Sequence, residues 1–385
     1  MSLEKLREEG LRWVEANRSD RFSGVTKLLT DLYPDNAHFI YELLQNAEDA
    51  RDKSVPDSSG ASVVRFTLSD NALEFEHNGE GLFTLDDVGR ITGIGDSAKR
   101  DDPTSIGKFG IGFKAVFAYT NTPEIHSGEF HFRIHDLVVP ETAGVTRPSM
   151  NERETRFIFP FDNPKKPPKQ AVAEIEQGLR ALGDNTLLFL THIRKIEYLL
   201  PDGSFGSLQR IDHEGGRIEI RASQPSGNVA VSHWLRFQKD VEVMDEEDGK
   251  LKICRIAIAY NLLEDDKKKR LPAWKIVPLD RGQVSIYFPA EKEPASLRFH
   301  LHAPFASTVA RDSVRNCEAN RQLRDHLAAL VVESLIAIRD RGMLNIGFLA
   351  VLPNPSDNLI GSAPFYEPIR EAIVRAFKNA ALTPT

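Results

Sequence analysis

Residues 42–50 read Glu-Leu-Leu-Gln-Asn-Ala-Glu-Asp-Ala, and residues 107–113 read Gly-Lys-Phe-Gly-Ile-Gly-Phe. The first stretch lies in a helix predicted over 36–53, with Asn36 as its N-cap. Phe39, Ile40, Leu43, Leu44 and Ala47 form its buried stripe. Glu42, Asn46 and Asp49 are spaced i, i+4, i+7 and share another face. A carboxamide oxygen is a hard neutral ligand suited to Mg²⁺, which keeps most of its waters. A carboxylate one turn away can orient and deprotonate a water. The second stretch is a glycine turn. Gly107, Gly110 and Gly112 lack a Cβ, so backbone N–H groups can approach an anion closely. The turn runs into a helix predicted over 110–119, whose N-terminus favours negative charge. Its G-x-x-G-x-G spacing is neither a Walker A loop nor a dinucleotide fingerprint. Taken singly, each stretch also fits an ordinary polar helix face or an ordinary turn.

Working outward, 3–17 reads as a helix with Leu3, Leu6, Leu11 and Val14 near one face. A second helix is expected over 24–33, ended by Tyr33-Pro34. Strands at 62–68 and 72–77 are joined as a hairpin by Ser69, Asp70 and Asn71. A helix at 84–92 leads into a Gly-, Ser-, Asp- and Pro-containing loop, 93–106. Strands follow at 129–134 and 155–160, then a Pro- and Lys-rich linker at 163–169 and a helix at 170–183. Beyond 186 short strands recur at 195–200, 207–212, 217–222, 229–235, 252–259 and 283–288. Charged loops fall at 244–250 and 264–270, and a long helix covers 318–341. A boundary is expected within 163–186, giving domains 1–165 and 166–385.

The 385 residues suffice for two or three cored domains. Net charge is −7, which argues against a surface coated in basic charge for nucleic acid. Cys254 and Cys317 suggest neither a disulfide framework nor a zinc site. The N-terminus is a charged helix start rather than a signal peptide, and no apolar run reaches the roughly 18 residues of a membrane span. A cytoplasmic location is expected.

Helix, hairpin, loop and glycine turn in this order resemble the GHKL ATPases, the superfamily of gyrase, ninety-kilodalton heat-shock chaperones, histidine kinases and MutL. The sacsin and NO VEIN type is closest. The resemblance is carried by His38 to Ala50, Gly93 to Lys99, Ile106 to Phe117 and Thr122 to Ser127. It implies an α+β fold of Bergerat type: a mixed, largely antiparallel sheet covered by helices, followed by a transducer-like α+β domain. It implies ATP and Mg²⁺ as ligands. Glu42 then resembles the general base and Asn46 the Mg²⁺ ligand, with Asp49 a polar residue beside the nucleotide. Gly107, Lys108, Phe109, Gly110, Ile111, Gly112 and Phe113 would cradle the phosphates. The 93–106 loop would be the ATP lid, with Lys99 reaching a phosphate. Thr155 falls where the family contacts adenine.

One departure stands out. The family's D-x-G-x-G motif, whose Asp accepts from the adenine amino group, is here His77-Asn78-Gly79-Glu80-Gly81. Gly79 and Gly81 fit. Either a neutral His77 nitrogen or the Asn78 amide oxygen could take over as acceptor.

In the second half, Arg311 precedes the long helix and resembles the arginine that reaches the γ-phosphate in the ninety-kilodalton chaperones, with Arg315 a weaker candidate. The expected function is slow ATP hydrolysis with lid closure coupled to a second domain or partner. The alternatives are a non-hydrolysing nucleotide-binding or scaffold module, and a nucleic-acid-acting ATPase of MutL or MORC type. Expected partners are ATP and ADP, further domains or an unidentified protein, and a nucleotide-dependent homodimer. No membrane contact is expected. The chain is expected to be a module of a larger protein.

Overall fold

The computed structural model describes the chain except residues 1, 18–38, 53, 56, 94–111, 145–153, 245–248, 265–273, 308–312, 354–363, 381 and 383–385. The expected helix at 24–33, the Asn36 cap, Lys99, residues 107–111 and Arg311 lie outside the described residues. So does all of the 93–106 loop but Gly93.

The hairpin predicted from alternation is present. β1 (Val63–Leu68) and β2 (Ala72–His77) pair antiparallel, with Val64 opposite His77 and Leu68 opposite Leu73. Val64, Phe66, Leu68, Leu73, Phe75 and His77 all face inward. β6 (Thr155–Pro160) lies antiparallel to β2, with Thr155 opposite His77. β3 (Glu124–Ser127), β4 (Phe130–His135) and β5 (Val139–Thr142) extend the sheet from β6. On the other side β7 (Lys195–Leu199) runs parallel to β1, and β8 (Phe205–Asp212) pairs antiparallel with β7. The opposite face carries alternating charge: Glu197 to Arg65 at 2.9 Å and Arg156 to Glu76 at 2.5 Å. Cross-strand pairs of this kind fix register without apolar burial.

Helices cover the inner face. α1 (Leu3–Asn17) buries Leu6 and Gly10, while Leu11 is exposed. The expected Leu11 face gives way because the helix approaches the 138–139 backbone at Gly10, where a Cβ would stand 2.7 Å from the Val138 oxygen. α2 (Phe39–Glu48) buries Phe39, Ile40, Leu43, Leu44 and Ala47, the stripe the sequence predicts. It stops five residues short of the expected end, and Arg51 N–H donates to the Asp49 carbonyl at 2.8 Å. α3 (Leu85–Thr92) starts from a Thr84–Asp87 capping box. The helix expected over 110–119 is instead a 3-10 segment, Gly112–Ala118. Phe113 of that segment packs on Phe157 and Phe159, and Phe39 on Phe159 and Tyr119. α4 (Pro168–Arg180) buries Ala171, Ile175 and Leu179.

One lysine sits inside this layer. Lys114 is 1% exposed, and its Nζ donates to the Ile91 carbonyl at 2.7 Å and to the Leu137 carbonyl. Burial pushes its pKa down to about 7 from the ordinary 10.5. A neutral amine has two N–H bonds, matching the two carbonyls. Between those pH values the unfolded chain holds a proton that the folded one lacks, so stability rises with pH. Relative to Lys114→Met, the wild type is expected to gain about 1.4 kcal/mol per pH unit from pH 7 to 9. Urea midpoints at three pH values measure this, and a pH-independent difference would overturn it.

The chain forms two compact units, the first comprising 1–183, 190–209 and 222–230, the second 184–189, 210–221 and 231–385. The sequence puts the division at 165/166. The helix at 168–180 and the strand at 195–199 lie with the first unit, because that strand adds in parallel beside β1. The second unit contains α5 (Asn185–Leu188) and residues 217–221 of β9 (Arg217–Ser223). The hairpin of β10 (Val229–Met244) and β11 (Leu251–Glu264) is longer than its expected strands. β12 (Trp274–Val277) and β15 (His300–His302) both pair with β11. The strand expected at 283–288 is split at Tyr287, whose φ is +70°, into β13 (Gln283–Ile286) and β14 (Phe288–Pro294). α6 (Glu318–Asp340) carries Leu327, Val331 and Leu335 in this unit's core with Ile256, Ile258 and Tyr260. Tyr260 meets the Ser334 hydroxyl at 2.9 Å. α7 (Glu367–Asn379) packs on α6.

Candidate functional site

Gly112 and Phe113, the described end of the second opening segment, lie against the first. Glu42 is 5% exposed, and its carboxylate lies on Gly112 so closely that a Cβ there would stand 1.9 Å from Oε2. A larger residue at 112 would require the Glu42 side chain to move. Asn46 on α2 and Asp49 just past its end are both half-buried. Phe113 is buried on Phe157.

At the far end of α2 the 77–81 turn closes against the helix. Gly81 N–H donates to the Ala50 carbonyl at 2.9 Å. A Cβ on Gly79 would stand 2.6 Å from the Ala50 Cβ, and one on Gly81 would stand 2.4 Å from the Arg51 oxygen. Both glycines therefore serve a close approach of backbones. Asn78 Oδ1 accepts from the Ser62 and Val63 N–H groups at 3.0 and 2.9 Å, and Nδ2 donates to Ser62 Oγ. Both lone pairs of that oxygen are engaged, so Asn78 shapes the turn and has no acceptor left for a base. Glu80 accepts from Ser58 Oγ and Ser59 N–H at 2.7 and 3.0 Å, bracing the turn from the other side.

His77 is 4% exposed beside Phe75 and Phe157. Gly79 N–H donates to its Nδ1 at 3.2 Å, and burial pushes its pKa down to about 4. The imidazole is neutral at physiological pH. Thr155, opposite it in register, is fully buried and meets Ser127 Oγ at 2.6 Å. Ser127 in turn accepts from Phe83 N–H at 3.0 Å.

Three residues escaped the sequence. Ser127 sits opposite Thr155 in β3, a strand that went unread. Lys114 was not singled out within the helix predicted over 110–119. Glu48 continues the buried Ile40–Leu44 line at i+4 and i+8, the one signal that could have found it. It is 3% exposed and accepts from the backbone N–H groups of Thr191, His192 and Ile193, the latter two at 2.8 Å. Burial raises its carboxyl above the usual range, against those donors and the neighbouring His192.

Among the described residues no cluster of three or more His, Cys, Asp or Glu could hold a metal. Asn46 and Glu42 supply a neutral oxygen and a carboxylate, a set suited to a water-rich cation shared with a phosphate. In the second unit the described neighbour of Arg311 in sequence is the weaker candidate, Arg315. Arg315 is exposed; its N–H donates to Ala306, and its carbonyl accepts from buried Asn320 at 2.6 Å.

Sheet, covering helices and the meeting of Glu42 with Gly112 agree with the α+β fold that the resemblance to the GHKL ATPases implies. Residues 22–157 match the family model of the Sacsin domain. The chain is similar to Protein NO VEIN of Arabidopsis thaliana, 37% identical over 106 residues that cover 28% of this chain and 4% of that protein. It is similar to Sacsin of Homo sapiens, 25% identical over 415 residues that cover 85% of this chain and 9% of that protein. Chaperone protein HtpG of Sulfurovum is 32% identical over 124 residues, covering 26% of this chain and 20% of that one. The matched region thus spans a fifth or less of each relative's length. Among the described residues no helix is long and apolar enough to cross a membrane.

Proposed function

We propose that the first unit binds ATP with Mg²⁺ and hydrolyses it slowly. The observation that carries this is the contact of the Glu42 carboxylate with Gly112, where a helix bearing a base meets a glycine turn suited to phosphate. From Glu42 to Glu48 the helix rises about 9 Å. The 77–81 turn meets the residues just beyond, so base and triphosphate would lie toward opposite ends of this helix. Glu42 would hold and deprotonate the attacking water. Asn46 would hold Mg²⁺, which neutralises phosphate charge when bound. Asp49 would lie beside the nucleotide, His77 and Thr155 at its base end, and Gly107 to Phe113 around the phosphates. Lys99 and the 93–106 segment would cover it. Lid closure is the conformational output offered to a partner, or to a second copy of the chain, in the cytoplasm.

Asn46→Ala is expected to weaken Mg²⁺-dependent ATP affinity about tenfold while leaving any metal-free binding unchanged. Calorimetry with and without EDTA measures both, and equal affinity for wild type and variant in Mg²⁺ would refute the role. Steady-state phosphate release by the full chain separates turnover from nucleotide binding alone.

A further inference from the structure

We propose that His77 is a specificity-determining residue that presents a fixed Nε2–H donor to the C6 edge of a purine, favouring 6-oxo over 6-amino bases. The proposal rests on the nucleotide-site reading above, with the 77–81 turn at the base end. An aspartate at this position can only accept, and so selects the amino group of adenine. His77 cannot imitate it in the tautomer the fold imposes. Its Nδ1 lone pair already accepts from Gly79 N–H at 3.2 Å. In a neutral ring the proton must then reside on Nε2. Burial keeps the ring neutral, so no second proton arrives at ordinary pH. Phe75 and Phe157 flank the ring and limit its reorientation.

Nε2 makes no hydrogen bond among the described residues, yet it is not sealed from solvent. It is a donor awaiting an acceptor. The 6-oxo oxygen of hypoxanthine or guanine is such an acceptor, whereas an exocyclic amino group would set donor against donor. The neighbouring Thr155–Ser127 hydroxyls can each turn to donate or accept, so they adapt to either base. Asn78 cannot compensate, because its amide oxygen is engaged.

The test compares ATP with ITP, which differ at C6, by calorimetry on the full chain with Mg²⁺. Wild type is expected to bind ITP about fivefold or more tighter than ATP, from the cost of an unpaired buried donor. His77→Asp is expected to invert the order. Wild type that prefers ATP, or a ratio unchanged in His77→Asp, would overturn the proposal. If wild type binds neither nucleotide, the nucleotide reading itself falls and takes the proposal with it. Should His77→Asp not fold, ¹⁵N spectra of the wild-type histidines still decide. Protonated Nε2 with bare Nδ1 from pH 6 to 8 supports the donor, and the opposite tautomer refutes it.

Discussion

Replacing Glu42 by alanine is expected to lower phosphate release at least about a hundredfold while nucleotide still binds. General bases contribute roughly 10²–10⁴ in rate. The position of this one is over-determined: its oxygens rest on Gly112 and its backbone lies in the buried stretch of α2. A carboxylate facing a triphosphate also repels it, so the variant's affinity should be equal or tighter. Single-turnover phosphate release and calorimetry on the same preparation separate the two effects. Undiminished release would remove Glu42 from the chemistry. Lost binding would recast it as a structural residue.

The largest expected effect on stability comes from Glu48→Ala. Three backbone N–H groups, those of Thr191, His192 and Ile193, converge on this carboxylate. Truncation leaves all three without an acceptor, at about 1–3 kcal/mol for each that stays buried. The first unit is expected to lose roughly 3 kcal/mol or more. The loss should centre on β7, because Arg194 and Lys195 N–H groups both donate to the Ser62 carbonyl just beyond this anchor. Urea unfolding measures the total, and hydrogen exchange at 195–199 locates it. A change under about 1 kcal/mol would mean that water or a shifted loop satisfies the donors.

What was legible is written in local periods: the buried stripe of α2, with Glu42 and Asn46 on that helix and Asp49 just past its end. The i, i+4, i+7 set of Glu42, Asn46 and Asp49 needs only helical geometry. The β1–β2 hairpin needs only alternation and a turn. What was not legible depends on pairing between distant strands. Ser127 becomes a neighbour of Thr155 only once β3 lies beside β6. Glu48 has a role only once 191–193 comes home to the end of α2. His77 read as a possible acceptor because sequence says nothing about which ring nitrogen a neighbouring N–H will occupy. Tyr287 broke an expected strand through a left-handed backbone that its side chain does not announce. The 3-10 geometry of Gly112–Ala118 was equally silent. The Ala-Val-Phe-Ala run fits either helix, and the close seat of Glu42 on Gly112 comes from tertiary packing.

His77, Thr155 and Ser127 occupy one row across three adjacent strands, at matched register positions in β2, β6 and β3. Side chains alternate faces, so a one-residue slip of β6 would carry Thr155 to the charged outer side and move Arg156 into its place. The row is therefore vulnerable to length as well as to chemistry. Inserting a single residue within β6 should erase this end of the site without altering any residue in it. An insertion at Asp70, in the turn between β1 and β2, can be absorbed as a longer loop. A scan of single-residue insertions would thus map the site as a frame of reading, where a substitution scan sees only its letters.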